Sequence, residues 1–417
     1  MGITAKLIAA AGRVAGGTLV ASAFQLLFAF LTARILGPQG RGVLVLVATT
    51  ATYSMLLTSL GVVIPARVML GGSDAKTVLA QYVGLALLLG AVQLVVTAIL
   101  VDIILAHSGI SLDAPQVITA GIYGSSLLIA YLLTHALFGV GRSGNAVAVQ
   151  GVGGAAQLIA GLALGLFGVK AVWPFISAPI IGAALQIAVS LTALARAGYP
   201  VRPTVSASTW RRLTKTAPAG MGVSFGQAAV LKLDRIFVGV MLSATAVGVY
   251  SVAATATDVV MVAPTALSQV LFHRLASKSV DPASARKARV LSMFISAAIA
   301  GALFLIAPFA IQRALGDRFM GAVDPLRILL LAALALSSYQ LDAYSLSAMG
   351  EVGRAAVATV AGLVVVIGAD LLLIPSRGIV GAAWASVIAY CVMAAIARAF
   401  ARRIRPSGPP MDMRQNS

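Results

Sequence analysis

The sequence predicts an all-α polytopic membrane protein, with twelve transmembrane helices in two six-helix lobes related by a parallel pseudo-repeat. Three observations predict it. Hydrophobic residues make up 60% of the 417 and charged residues 10%, where a soluble domain carries about 25% charged. The apolar residues come in long runs, and in lipid a run of that kind satisfies its backbone only as a helix. Short stretches also recur at a near-constant offset between the two halves.

The runs long enough to span a bilayer as helices are 14–36, 42–64, 80–105, 116–139, 146–168, 172–195, 217–242, 247–270, 290–312, 325–346, 355–374 and 379–400. The first follows Lys6 and Arg13 in the manner of a signal peptide, but it is too long for one and reads as an uncleaved span. Most connections are short, which makes neighbouring helices antiparallel. Two are longer, Arg196 to Thr216 and His273 to Arg289. The chain therefore divides into an N-terminal lobe (1–200), a cytoplasmic linker (201–216), a C-terminal lobe (217–401) and a polar, Pro-rich tail (402–417) expected to be disordered.

Thirty Lys and Arg against twelve acids give a net charge of +18. With the N-terminus inside, twenty-one of the thirty fall in cytoplasmic segments. Six fall outside: Arg34, Arg41, Lys170, Arg313, Arg318 and Arg377. Lys232, Arg235 and Arg327 lie within spans. The bias places both termini in the cytoplasm. It also makes the basic surplus a topology signal, with no nucleic-acid partner expected.

At a spacing of 206, Leu36, Gly42, Val43, Ala48 and Thr49 recur as Leu242, Gly248, Val249, Ala254 and Thr255. At 212, Ala136, Val140, Gly141 and Arg142 recur as Ala348, Val352, Gly353 and Arg354. Six spans per lobe give both lobes one orientation, so an axis along the membrane normal relates them. Substrate sites in such architectures lie between the lobes.

The seventh span carries Lys232, Asp234 and Arg235 beyond its midpoint. Ionisable groups at that depth mark a functional site unless they neutralise one another. Lys232 and Arg235 share a helix face and Asp234 points elsewhere, which suits an anion cradle for a phosphate or pyrophosphate. Mutual neutralisation by Asp234 is the structural alternative. Arg34 occupies a comparable depth in the first span, where snorkelling is the alternative. Gln25, midway along that span, reads equally as a substrate contact or a helix–helix hydrogen bond. Asp258 in the eighth span suits proton exchange, or else pairing with a cation such as Lys232. Arg327 is expected to snorkel or to pair with Asp324 or Asp370. Asp342 is expected at the inner interface, and His135 as a packing residue.

Other signals exclude chemistry. Gly139, Gly141 and Gly144 spell G-x-G-x-x-G but follow no strand, so no dinucleotide site is expected, and no phosphate-binding G-x-x-x-x-G-K-[ST] occurs. Three scattered histidines and the single Cys391 supply neither a metal-ligand set nor a disulfide. No cofactor is expected. Gly161 and Gly165 form a small-residue face for close helix packing, and Trp173, Trp210 and Trp384 read as belt residues.

The stretch LTARILGPQGRGVLVLVATT (31–50) resembles the junction of the first two spans in polysaccharide flippases of the O-antigen type. Leu233-Asp234-Arg235 with Gly248-Val249-Tyr250-Ser251-Val252-Ala253 resembles their seventh-to-eighth-span signature. Leu315-Gly316-Asp317-Arg318-Phe319 with Leu326-Arg327-Ile328-Leu329 resembles the segment before their tenth span. The resemblance implies the multidrug/oligosaccharidyl-lipid/polysaccharide (MOP) superfamily, with two lobes rocking about a central cavity. It further implies a polyprenyl-pyrophosphate-linked oligosaccharide as substrate and polysaccharide assembly enzymes as partners, while Asp258 could serve H+, Na+ or neither as coupling ion. Arg235 and Arg34 would then meet the pyrophosphate. The first span lacks the acid that multidrug extruders of the superfamily often carry there. Two other functions compete: a cation-coupled drug or metabolite exporter, and a membrane-embedded glycosyltransferase or polymerase. The outer loops, 106–115 and 313–324, are short for the latter.

Overall fold

In the computed structural model, residues 2–72, 74–204, 206–261, 264–265, 282–348 and 351–403 are described. Within them every regular element is helical: α1 (Gly2–Thr58), α2 (Val63–Leu70), α3 (Ala75–His107), α4 (Ala114–Gly139), α5 (Ser143–Leu166), α6 (Val172–Arg196), α7 (Ala207–Met241), α8 (Ala244–Thr257), α9 (Pro282–Leu315), α10 (Val323–Ala348) and α11 (Val352–Arg403). Short 3-10 turns cover Asp258–Met261 and Asp317–Ala322. Among the described residues, nine helices are long and apolar enough to cross a membrane. Two of these are double. Helix α1 breaks at Gly37 and α11 at Gly378, each with a positive φ inside the helix. Counting their arms separately, and adding α7, gives the twelve expected crossings.

The breaks have local causes. Gly37 sits at φ 68°, a conformation costly for any residue with a Cβ, and Pro38 follows it. At the repeat-equivalent position, Ser243 caps α8 by accepting from the Ala246 amide at 3.2 Å. Gly168 and Gly378, between the last two crossings of each lobe, also share positive φ. Helix α4 starts at a capping box of Asp113 and Gln116.

Several boundaries differ from expectation. The second crossing starts at Pro38 and ends at Thr58, and Leu60 and Gly61 then turn the chain into the short α2. Helix α7 starts at Ala207, ten residues before the expected start of the span and inside the segment read as a linker, and the Trp210 indole donates to the Gln81 carbonyl of α3 at 3.3 Å. The eighth crossing changes from α to 3-10 geometry at Asp258. Its expected continuation through 266–270, the connection 271–281 and the tail 404–417 lie outside the described residues.

In the first half, α3 packs on α4, α5 on α6, and the first arm of α1 on α5. A Cβ at Gly161 or Gly165 would strike Phe28 or Ile35 of α1, at 2.7 and 2.6 Å, so the small-residue face of α5 meets α1. The second arm of α1 is tied to α3 by a buried amide. Gln93 donates to the Ala51 carbonyl and to the Ser54 and Thr97 hydroxyls at 2.9–3.2 Å. In the second half, α10 and α11 form the largest contact, with α7 against α11 and α8 against α10.

The two halves meet where α1 packs on α8. A Cβ on Gly42 would sit 1.7 Å from the Ala244 carbonyl oxygen, and one on Gly248 would sit 1.8 Å from the Pro38 oxygen. Pro38 and Gly42 are the repeat equivalents of Ala244 and Gly248, so this contact is symmetric about the axis relating the repeats. A second tie lies alongside. Pro38 has no N–H, which frees the carbonyl four residues earlier. That carbonyl, of Arg34, accepts from Arg318 Nη2 at 2.6 Å. At this end of the bundle the halves form a backbone-to-backbone seal.

Candidate functional site

Helix α7 brings its three ionisable residues to the interface in the arrangement that helical spacing predicts. Asp234 is buried, and the Tyr250 hydroxyl donates to its Oδ2 at 2.5 Å while the Arg235 amide donates to Oδ1 at 2.8 Å. Lys232, on another face, is exposed, and Arg235 is half-buried. Asp258, where α8 gives way to the 3-10 turn, is exposed as well. Lys232 and Asp258 are nevertheless set deep among the helices, and each feels the charge of the other and of Arg235. None of the four makes a direct ion pair among the described residues.

The wall behind them is polar. Ser386 lies beside Tyr250, and Tyr390 donates to the Val230 carbonyl at 3.4 Å. Asp370 of α11 is fully buried, and neither carboxylate oxygen has a hydrogen-bond partner. Asp234 is the charged group that acts on it. Two carboxyls so placed repel when both are charged, and a shared proton or cation relieves that repulsion. Tyr53, from the second arm of α1, reaches this group against the Lys232 backbone.

Arg34 and Gln25 make no described contact with the cluster. Arg34 is exposed and contributes its backbone carbonyl to the seal. Gln25 is exposed on the first arm of α1. The arginine that does approach Arg235 is Arg41, which hydropathy assigns to an outer turn. It is 8% exposed, its Nη1 donates to the Thr32 hydroxyl at 3.0 Å, and it acts electrostatically on Arg235. Its place was recoverable from the break at Gly37-Pro38, which restarts the helix before Arg41.

Three other ionisable residues within the spans have described partners. Arg327 pairs with neither Asp324 nor Asp370 among the described residues; its guanidinium stacks 4.8 Å from the Phe304 ring centre. Asp342, expected at the inner interface, is buried among protein, bonded to Arg289 and 3.5 Å from Arg398, so it ties α9, α10 and α11 together. His135 is a packing residue, as expected: its Nδ1 accepts from Arg67 Nη2 at 2.5 Å and its ring meets Tyr131 edge-on.

With this geometry in hand, comparison with known proteins is informative. A family described as "polysaccharide biosynthesis protein" matches residues 31–324, which hold both the seal and the charged cluster. The chain belongs to the polysaccharide biosynthesis protein family. Solved structures give the fold of this family member. The lipid II flippase MurJ in an inward closed conformation superposes with TM-score 0.75 at 10% identity, covering 93% of this chain and 87% of that one. An inward-facing multidrug resistance MATE transporter of the MOP superfamily gives 0.70 at 15% identity, over 91% and 94%. A variant of the Vibrio cholerae MATE transporter VcmN gives 0.62 at 15% identity, over 95% of both chains. No curated protein matches in sequence. The MOP fold implied by the resemblance is therefore the observed one.

Proposed function

We propose that this protein is a secondary transporter that flips a polyprenyl-pyrophosphate-linked oligosaccharide across a bacterial cytoplasmic membrane by alternating access. The reading is supported by the cations Lys232, exposed, and Arg235, half-buried, which no ion pair holds among the described residues and which would line a hollow between the repeat-related lobes. A pyrophosphate loses its hydration on entering such a space, and fixed cations offset that cost. Membership of a polysaccharide biosynthesis family supports a sugar-bearing substrate, and the shared fold with a lipid II flippase supports a lipid-linked one. The excess of cations at the opposite helix ends supports cytoplasmic termini, with the Gly42–Gly248 seal at the outer face. The hollow then opens inward in this state, ready for substrate made on the cytoplasmic side.

The buried Asp370, facing Asp234 with unpartnered oxygens, favours coupling to H+ or Na+. Such coupling would serve a drug or metabolite exporter equally well, so the substrate test has to separate the two. In Arg235→Ala, lipid-linked sugar should build up in the inner leaflet while the protein stays folded in the membrane. Leaflet-resolved measurement of the lipid-linked sugar in a deletion strain carrying the variant reads this directly. Wild-type export by a stable Arg235→Ala protein would remove the mechanism. Drug efflux with normal surface polysaccharide in the deletion strain would support the exporter instead.

A further inference from the structure

We propose that Arg41 is a second diphosphate-binding residue, and that Arg41 from one lobe and Arg235 from the other form a clamp that the substrate anion completes. This rests on the flippase reading above.

The observations are these. Arg41 is 8% exposed, at the start of the second arm of α1, one residue from the glycine seal. Its single described hydrogen bond runs from Nη1 to Thr32 Oγ1 at 3.0 Å. Thr32 in turn donates to the Phe28 and Ala29 carbonyls, so its oxygen is a held acceptor that orients the guanidinium. The Nε of Arg41 has no partner, and neither has the Nε of Arg235. The charge that acts on Arg41 is Arg235, another cation. Among the described residues no carboxylate is paired with either guanidinium.

A buried guanidinium within the electrostatic reach of a like charge, with an unpartnered Nε on each, is unfavourable in the empty protein, and Asp234 and Asp258, which interact with Arg235, fill neither donor. Planar guanidinium donors match diphosphate oxygens two at a time, and one anion between two of them cancels the repulsion and fills the donors. The two arginines belong to different lobes, so the bound anion also bridges the interface beneath the seal. Asp234 does not fill that role, because it faces Tyr250 within its own lobe.

The test uses the full chain in lipid nanodiscs, titrated calorimetrically with inorganic pyrophosphate and, separately, with farnesyl diphosphate as a short polyprenyl diphosphate. Arg41→Gln should weaken whichever ligand the wild type binds by about tenfold to a hundredfold, as loss of a charge-assisted contact implies. Arg41→Lys should recover part of that loss, and the melting temperature of the ligand-free protein should not fall in either variant. Binding of both ligands makes the diphosphate group itself the determinant, and binding of farnesyl diphosphate alone makes it the lipid-linked form; both support the clamp. Equal affinity in wild type and Arg41→Gln overturns it. If Arg235→Gln weakens binding in that case, the flippase reading stands without Arg41; if it does not, both fall. Absence of wild-type binding to either ligand also overturns the clamp. Should Arg41→Gln fail to fold, Arg41→Lys carries the test, since a monodentate cation must bind more weakly, and unchanged affinity would end the proposal.

Discussion

Gly42→Ala tests the seal with a single methyl group. The added Cβ would lie 1.7 Å from the Ala244 carbonyl oxygen, where ordinary contact begins at 3.4 Å. The obstacle is backbone, so no side chain can swing away, and α1 and α8 must part by about 1.7 Å at this point. Overpacking of that kind costs about 1–3 kcal/mol. Charged against the sealed state alone, it shifts the balance between sealed and unsealed forms about fivefold to 150-fold. Gln39 and Thr245 are repeat-equivalent, exposed and beside the seal, which makes them suitable for spin labels after Cys391, itself exposed, is replaced. Pulsed electron–electron resonance should show one short distance in the parent protein and a longer population in Gly42→Ala. Gly248→Ala should behave alike, because its Cβ would meet the Pro38 oxygen at 1.8 Å. The double variant should add little, since the first methyl has already parted the helices. An unchanged distance distribution in a folded Gly42→Ala protein, with export intact, would refute the claim that this contact closes the transporter.

Other perturbations reach other parts of the mechanism. Asp370→Asn removes the unpartnered buried carboxyl, so transport in proteoliposomes should lose its response to an imposed proton or sodium gradient while substrate binding persists. Asp342→Asn takes the acid from between Arg289 and Arg398, and thermal unfolding in detergent should show a loss of about 3 kcal/mol, the lower range for breaking a buried pair. Gly161→Leu pushes against Phe28 of α1, already 2.7 Å from a bare Cβ; it should lower the yield of folded protein by size-exclusion chromatography while leaving the cation cluster chemically intact. Lys232→Ala should weaken pyrophosphate binding without unfolding the chain, because Lys232 is exposed and holds no structural ion pair among the described residues.

Hydropathy makes the crossings legible because the cost of putting a polar backbone or a charge in lipid is paid residue by residue along the chain. That is why ten crossing-length helices, two of them broken internally, reproduce the twelve expected spans. The face shared by Lys232 and Arg235 was legible for a similar reason, since 3.6-residue periodicity needs no knowledge of neighbours. The recurrence of Gly42 as Gly248 was visible too, as a repeat, though its meaning as a mutual contact was not. Arg41 escaped, because a window of hydropathy sees a charge near a helix end and cannot see that the end is folded back into the protein. Asp342 escaped likewise, since its partners Arg289 and Arg398 are far away in sequence.

By itself the sequence determined the membrane class, the two-lobed repeat and the presence of costly charges on α7, because each follows from local composition and period. Only the tertiary structure decided that Asp234 turns inward to Tyr250, that Lys232 and Asp258 keep exposed surface, and that Arg41 is buried against Thr32 within the electrostatic reach of Arg235. Those outcomes depend on which helices meet and at what distance. In lipid, where apolar faces have little preference for one another over the bilayer, such meetings are chosen by close backbone approach at glycines and by a few long-range polar contacts.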